Sequence, residues 1–543
     1  MNRYASAQAP IPHGTAPHRT AVLIVGGSIV GLSAALFLAA RGVTPILLEQ
    51  HTGISPRLRA KLFYPRTMEA YRAVAAADDI YAIEREHPRS EYAATVQSLA
   101  GAEIKRWRLP AAEDSGAVSP CQGAMVKQGD AERVLRRRAA TEGADLRFGH
   151  RFVDWEQTGD RVTARVLDDS GAPYTVEADY LLAADGNASS IRERLGITRS
   201  GDDALAHCME LAFTADLRPL LAGRALALAF ADQPGRPFIS WNTGHDAGAV
   251  SVTYDPATVD PDAAFTPDPA RAIVSAALGL PERDVQLTGA RPWQMAGWVA
   301  DTYRVGPVFL LGDAAHVCPP VGGFGANAGI QDAWNLTAKL VSVLRSHAEP
   351  RLLDQYEPER RPIAELTVRQ AVARMAGPRG HAVESGQLLS EAAVAVGYRY
   401  PAPSTGADGP TAEIPLPWAD EPEHWRGEPG TRLPHIPLAA EMSPSAATLD
   451  LVRDGRHLLL TGQQGQSWVQ AAQALDPEHD LLNSLTLTPQ ALAPGVSFAE
   501  RCGVGEEGAV LVRPDGVVCW RSAHVAAAAE TLERVLRAAL HRS

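Results

Sequence analysis

Apolar positions along the chain follow distinct patterns, and each predicts a different kind of element. The first is a short continuous run, then glycines, then a helical stripe. Residues 21–25 read AVLIV, Gly26-Gly27-Ser28-Ile29-Val30-Gly31 follows, and Leu32, Ala35, Leu36 and Ala39 then recur at helical spacing. A second run at 44–48 ends on Glu49, completing a strand–helix–strand unit. The same order returns twice. Residues 174–184 predict a strand that breaks at Asp185-Gly186-Asn187 and turns into a helix through Ile191 and Leu195. Residues 308–311 predict a strand that breaks at Gly312-Asp313, crosses a loop rich in proline and glycine, and enters a helix. In that helix Ile330, Ala333, Trp334, Leu336, Leu340, Val341 and Leu344 share a side, so one face is expected to be buried.

Between 201 and 300 the pattern changes to alternating residues, with strands at 225–231, 237–242 and 249–254 separated by turn residues. Residues 128–139 read as a helix with Asp130 near its start, and 352–375 as a helical region interrupted at Pro362. A stretch dense in Pro, Gly and Glu at 401–431 reads as a linker. Beyond it come a strand at 457–462, a helix near 468–475, a strand at 508–520 and a terminal helix from 525.

The pattern divides the chain into a tail at 1–19, strand–glycine–helix stretches at 20–200 and 301–400, a strand-rich stretch at 201–300, the linker, and a C-terminal segment at 432–543. A length of 543 residues suits two or three domains. The tail has neither a basic start nor an apolar core, so it is expected to be disordered and not a signal peptide. Net charge of -12 removes the basic footprint that nucleic acid requires. No apolar run approaches the roughly 20 residues of a membrane span. Five scattered cysteines, without Cys/His clustering, predict reduced thiols, a cytoplasmic location and no metal site. Cys318 reads as a small apolar filler.

Glycines at strand ends let a backbone approach a ligand closely, and helix starts carry partial positive charge that favours phosphate. The GGSIVG segment lacks the central glycine of the dinucleotide fingerprint, with Ser28 in its place, but the acidic Glu49 stands where a ribose would be held.

Three separated segments, GGSIVG, YLLAADGNASSIRERLGI and VFLLGDAAHVCPPVGGFGANAGIQDAWNL, together resemble the class A flavoprotein monooxygenases, the para-hydroxybenzoate hydroxylase-like family. The last segment is most similar to the branch that hydroxylates phenols and aromatic polyketides. The resemblance implies an α/β fold: a Rossmann-like FAD-binding domain, an inserted mixed-sheet substrate domain and a C-terminal thioredoxin-like domain. VRPDGVVCWR carries the last of these, without a redox CxxC, so docking or assembly is its expected role. The resemblance further assigns FAD contacts to Gly26, Gly27, Ser28, Ile29, Gly31, Glu49, Gln50, Arg59, Gln128, Asp185, Asp313, Pro320, Gly323, Gly325, Ala326 and Asn327. Phe238, Trp241, Trp293 and Met295 are candidate walls of the substrate pocket.

The activity implied is reduction of FAD by NADPH or NADH, reaction with O₂ at flavin C4a, and delivery of one oxygen atom from the hydroperoxide to a phenolic or aromatic polyketide substrate. No protein base is named; His316 is the one catalytic candidate, set against a role as a hydrogen-bonded scaffold residue. A Baeyer–Villiger oxygenase and a redox-silent flavin-binding protein are the alternatives. The reading leaves room for a homodimer.

Overall fold

A computed structural model describes residues 17–54, 60–86, 90–109, 114–221, 223–242, 244–375, 388–401, 419–439, 446–525 and 527–542. Arg59, nearly all of the tail and much of the linker lie outside these. Residues 18 and 19, at the end of the expected tail, already belong to a strand.

The strand–glycine–helix units assemble into one sheet. β1 (His18–Val25), β2 (Ile46–Glu49), β3 (Pro173–Ala183) and β4 (Val308–Leu310) run parallel in the order β4-β3-β1-β2, with Asp145–Phe148 beyond β2 and Arg304–Val305 beyond β4. Helices cover the sheet, so β1 is apolar through Val22, Leu23 and Ile24, all at zero exposure. Helix α1 (Ile29–Ala39) packs between the sheet and two further helices, α3 (Gln128–Thr141) and α4 (Phe324–Leu344), the latter also touching α2 (Pro65–Ala73). It is therefore buried nearly all round rather than along one stripe, and its lone polar side chain, Ser33, is satisfied by the carbonyl of Ile29 and by Tyr71 Oη. Leu36 has no exposed surface, so truncating it to Ala would cost about 2–5 kcal/mol.

The same correction applies to α4. Its apolar positions are buried as expected, apart from a half-buried Leu344, but so are Asn327, Gln331, Asp332, Asn335 and Lys339. Helix α5 (Tyr356–Met375) runs unbroken through Pro362, where an interruption was expected. Pro362 lies in the second turn, so it removes a single hydrogen bond, and burial of Ile363, Ala364 and Leu366 outweighs that loss.

A second sheet of eight strands has the order His316–Val317, Gln286–Ala300, Arg199–Thr214, Ala247–Tyr254, Phe238–Trp241, Leu226–Ala231, Tyr92–Val96, Glu103–Arg108. Its last two strands come from far upstream of the expected 201–300 insert. One face is closed by the helix Pro267–Leu278, through Ala270, Val274 and Ala277.

The thioredoxin-like C-terminal domain is a four-stranded sheet. The expected single strand at 508–520 is two, β5 (Ala509–Val512) and β6 (Val518–Ser522), paired antiparallel about the turn Arg513-Pro514-Asp515-Gly516. Proline and a glycine at φ 81° make that turn, which a pattern of apolar residues alone does not show.

Candidate functional site

Parallel pairing puts the ends of four strands on one edge. Val25 stands beside both Leu48 and Ala183, and Ala183 beside Leu310. The residues just beyond them, Gly26 and Gly27, Glu49, Asp185, and Gly312 with Asp313, therefore converge from four separate parts of the chain. Ligands of open α/β sheets bind at this edge.

The glycines there are required by close approach. A Cβ on Gly26, where φ is 110°, would lie 2.2 Å from Ala184 O, and one on Gly31 would lie 1.9 Å from Gly26 O. Gly27 N donates to Glu49 Oε2 at 2.7 Å, which holds the acidic side chain over the loop; Gln50 beside it is exposed. Ser28, the departure from the fingerprint, begins α1 without capping it. Its hydroxyl donates instead to Glu132 Oε1 at 2.7 Å, and Gln128 Nε2 bonds both Ser28 Oγ (3.0 Å) and Glu132 Oε1 (2.8 Å). Gln128 also exchanges bonds with the backbone of Ala60, so the segment next to Arg59 is tied to the glycine loop. Glu132 was not singled out from the sequence; its i+4 spacing from Gln128 on α3 was the available signal.

Asp185 accepts from Ile191 N at 3.4 Å through one oxygen, while Oδ1 is buried without a partner. Burial holds its carboxyl above the ordinary carboxylate range, against the bonds from Ser189 and Ile191. An orphaned buried oxygen and uncapped starts on α1 and α4 are what a site built for a hydroxyl- and phosphate-bearing ligand presents.

The fourth loop passes Asp313 and Pro320, both exposed, and reaches Gly323, whose left-handed backbone (φ 67°) starts α4. A Cβ on Gly323 would press on Leu62, and one on Gly325 would sit 3.3 Å from Cys318 Sγ. Cys318 is thus a filler beneath the loop. Ala326 is half-buried. Asn327 fixes the loop: its Oδ1 accepts from Tyr64 N (2.9 Å) and Thr67 Oγ1 (2.7 Å), and its Nδ2 donates to Leu62 O and Gly323 O.

His316 does not face this site as a free base. It is buried, with Nε2 on Asp332 Oδ2, and Asp332 also binds Arg360. The geometry gives it the scaffold role.

On the second sheet, Phe238, Trp293 and Met295 lie on one face, half-buried, in register with Ser251, Cys208 and Ala206. Trp241 does not join them. Three residues from Phe238, it points to the opposite face and packs in the core with Phe213 and Val250. A missed residue on the open face is Phe230, stacked on Trp107 at 6.0 Å and tilted against Phe238 at 5.3 Å.

The sequence profile of the FAD binding domain matches residues 19–371, and that of the aromatic-ring hydroxylase C-terminal domain matches 426–543. The chain belongs to the FAD-dependent aromatic-ring hydroxylases. It is 37% identical to a 4-methyl-5-nitrocatechol 5-monooxygenase of Burkholderia sp. (96% of this chain, 97% of that one) and 35% to an aklavinone 12-hydroxylase of Streptomyces purpurascens (97% and 99%). Among solved structures, a ternary complex of aklavinone-11 hydroxylase with FAD and aklavinone superposes with a TM-score of 0.89 at 34% identity, covering 97% of this chain and all of the other. The flavin-dependent monooxygenase PieE, in complex with FAD and substrate, gives 0.83 at 31%, over 97% of this chain and all of that one. The hydroxylase is accordingly an FAD-dependent monooxygenase. Among its described residues no helix is long and apolar enough to cross a membrane.

Proposed function

We propose that the four-loop edge holds FAD, that NADPH or NADH reduces it, and that one atom of O₂ enters an aromatic polyketide or phenol lying under the open face of the second sheet. The convergence of Gly26, Glu49, Asp185 and Asp313 at the ends of adjacent parallel strands carries this reading. Gly26, Gly27, Ser28, Ile29 and Gly31 leave room for the pyrophosphate, with the start of α1 facing its charge. Glu49 and Gln50 take the ribose end, and Arg59, Gln128, Asp185 and Asp313 the middle of the cofactor. Pro320, Gly323, Gly325, Ala326 and Asn327 lie against the ring, where the start of α4 favours negative charge.

FAD supplies the redox and oxygen-transfer chemistry. The protein's own groups bind, orient and exclude water. The balance is one ring C–H, one NAD(P)H, one proton and one O₂ giving one ring C–OH, NAD(P)⁺ and one water. Phe238, Trp293 and Met295 offer a flat apolar wall to a fused-ring substrate, as the relatives' aklavinone is. In this reading the FAD unit is drawn from 20–200 and 301–400, with 92–108 passing to the substrate sheet of 201–300, and the enzyme is cytoplasmic, as five free cysteines suit.

Anaerobic reduction by NADPH or NADH, followed at the flavin absorbance with and without polycyclic phenols, tests the proposal. Ligand-accelerated bleaching and a hydroxylated product on admitting air are expected. Full flavin occupancy in Asp313→Ala would remove the site assignment.

A further inference from the structure

The turn Arg513-Pro514-Asp515-Gly516 of the C-terminal domain is inserted into the FAD unit. Pro514 O accepts from Arg41 Nη2 at 3.1 Å, beyond the end of α1, and the Arg41 guanidinium lies 4.0 Å over the ring of Trp334 on α4. Trp334 Nε1 donates to Asp515 O at 3.0 Å, and Asn335 Nδ2 to Asp515 Oδ2 at 3.2 Å. Arg513 binds Glu359 of α5 through both of its terminal nitrogens and turns back on Asp515. Glu359 Oε2 in turn takes Lys339 Nζ and Asn335 Nδ2, each at 2.7 Å. Two cations and two anions therefore neutralise one another in a sealed cluster, none with a side chain more than 13% exposed.

The cluster is one end of a ladder. Asn327, Gln331, Asn335 and Lys339 follow one another at i+4 on α4, so they lie along one line of the helix. Lys339 and Asn335 meet the C-terminal turn and α5. Gln331 donates to Arg66 O at 3.1 Å, and Asn327 holds Leu62, Tyr64, Thr67 and Gly323. From Asn335 to Asn327 is about 12 Å of rigid helix. Well-packed apolar residues in place of the charged cluster would stabilise the fold as well or better, but they would let α4 slide or turn against its neighbours. Directional bonds at both ends fix its register.

We infer that Arg513 and Asp515 are positioning residues for the flavin loop: the C-terminal turn sets the axial position of α4, and α4 carries Gly323 to Asn327 into place. This rests on the reading of that loop as part of the FAD site. It gives the thioredoxin-like domain, which lacks a redox cysteine pair, a part in catalysis through helix placement.

The test uses the full chain, stripped of flavin and titrated with FAD by fluorescence quenching, with the midpoint potential of the bound flavin as a second readout. Arg513→Met keeps an unbranched apolar stem and removes the charged head. A tenfold or greater rise in the FAD Kd and a shifted potential are expected in a protein with native far-UV circular dichroism, with most of the loss recovered in Arg513→Lys. Wild-type Kd and potential in folded Arg513→Met would overturn the inference. Asp313→Ala separates the two readings: if it weakens FAD binding while Arg513→Met does not, only the positioning role falls, and if neither does, the flavin loop is misassigned. Should Arg513→Met fail to fold, Trp334→Phe, which removes the indole donor to Asp515 O and keeps an aromatic ring under Arg41, must raise the Kd and shift the potential in the same direction, and no change there overturns the inference.

Discussion

His316 Nε2 lies 2.7 Å from Asp332 Oδ2, and both side chains are sealed from solvent. The same carboxylate accepts from Gly312 N at 3.1 Å and, through its other oxygen, from Arg360 Nε at 2.7 Å. Arg360 reaches on to Tyr398 and Tyr400 and to Ala328 O. A single aspartate on α4 thus ties the GDAAH turn to α5, which explains why a histidine so near the flavin loop belongs to the scaffold.

Replacing Asp332 with Asn should cost about 3–5 kcal/mol, because Arg360 then stays buried with no opposite charge. Burial alone would raise the Asp332 pKa, but His316 and Arg360 more than offset it and hold the carboxyl below its usual range. A depressed folded pKa contributes stability that is present above the unfolded value near pH 4 and is lost as pH falls below it. Urea unfolding of both proteins at pH 7 and pH 3 should therefore show the gap between them narrowing in acid. A loss under 1 kcal/mol at pH 7 would mean that Arg360 finds another partner.

Two histidines of the C-terminal domain stay neutral further into acid than a surface imidazole does. Burial, then the charge of Arg513, pulls His457 down to about 4; burial and Arg432 do the same to His435. The unfolded chain takes up protons near pH 6.5 that the folded domain refuses, so stability is present above that pH and is lost as pH falls towards 4. His457 alone should account for about 2 kcal/mol between pH 7 and pH 5. His457→Leu should flatten that part of the profile in denaturant titrations. An unchanged slope would show that His457 is protonated in the native state.

Gly31→Ala should destabilise the protein by about 1–3 kcal/mol or more and empty the FAD site, since its Cβ would overlap the carbonyl of Gly26. Gly53→Ala meets nothing within 4 Å and serves as the matched control. Flavin content after gel filtration, with thermal unfolding, reads both effects. Equal flavin retention in the two variants would contradict the close approach of loop and helix.

What the sequence made legible followed from repetition. Strand, glycine and helix recur at 21–39, 174–195 and 308–344, and each copy ends a strand at the same edge of the sheet, so Gly26, Glu49, Asp185 and Asp313 could be named before they were seen together. Polar connections across the fold were harder to read. Glu132 is an unremarked acid on a helix until Ser28 Oγ is found on it, and Asp332, Asn335 and Lys339 look like solvated positions until α5 and the C-terminal turn cover them. Register decided the rest: Phe238 and Trp241 are alike in composition and three apart in a strand, and that odd spacing sends them to opposite faces.

The two tryptophans of the second sheet offer the sharpest test of that distinction. Trp293 is half-buried on the face that carries Phe238 and Met295, and its indole Nε1 is buried with no hydrogen-bond partner in the structure. Trp241 also lacks a partner for Nε1, but its ring is enclosed by Phe213, Ile239 and Val250. Trp293→Phe keeps an aromatic wall while removing the donor. It should leave unfolding within about 1 kcal/mol of wild type and raise the KM for an oxygenated polycyclic substrate, because a lost hydrogen bond to a ligand costs roughly 0.5–1.5 kcal/mol. Trp241→Ala should instead cost about 3–5 kcal/mol of stability through the cavity it leaves. Its KM should move little once the protein is assayed well below its melting temperature. The reverse result, an unstable Trp293→Phe and a stable Trp241→Ala with weakened substrate binding, would place the substrate on the helix-covered face and require that face to open.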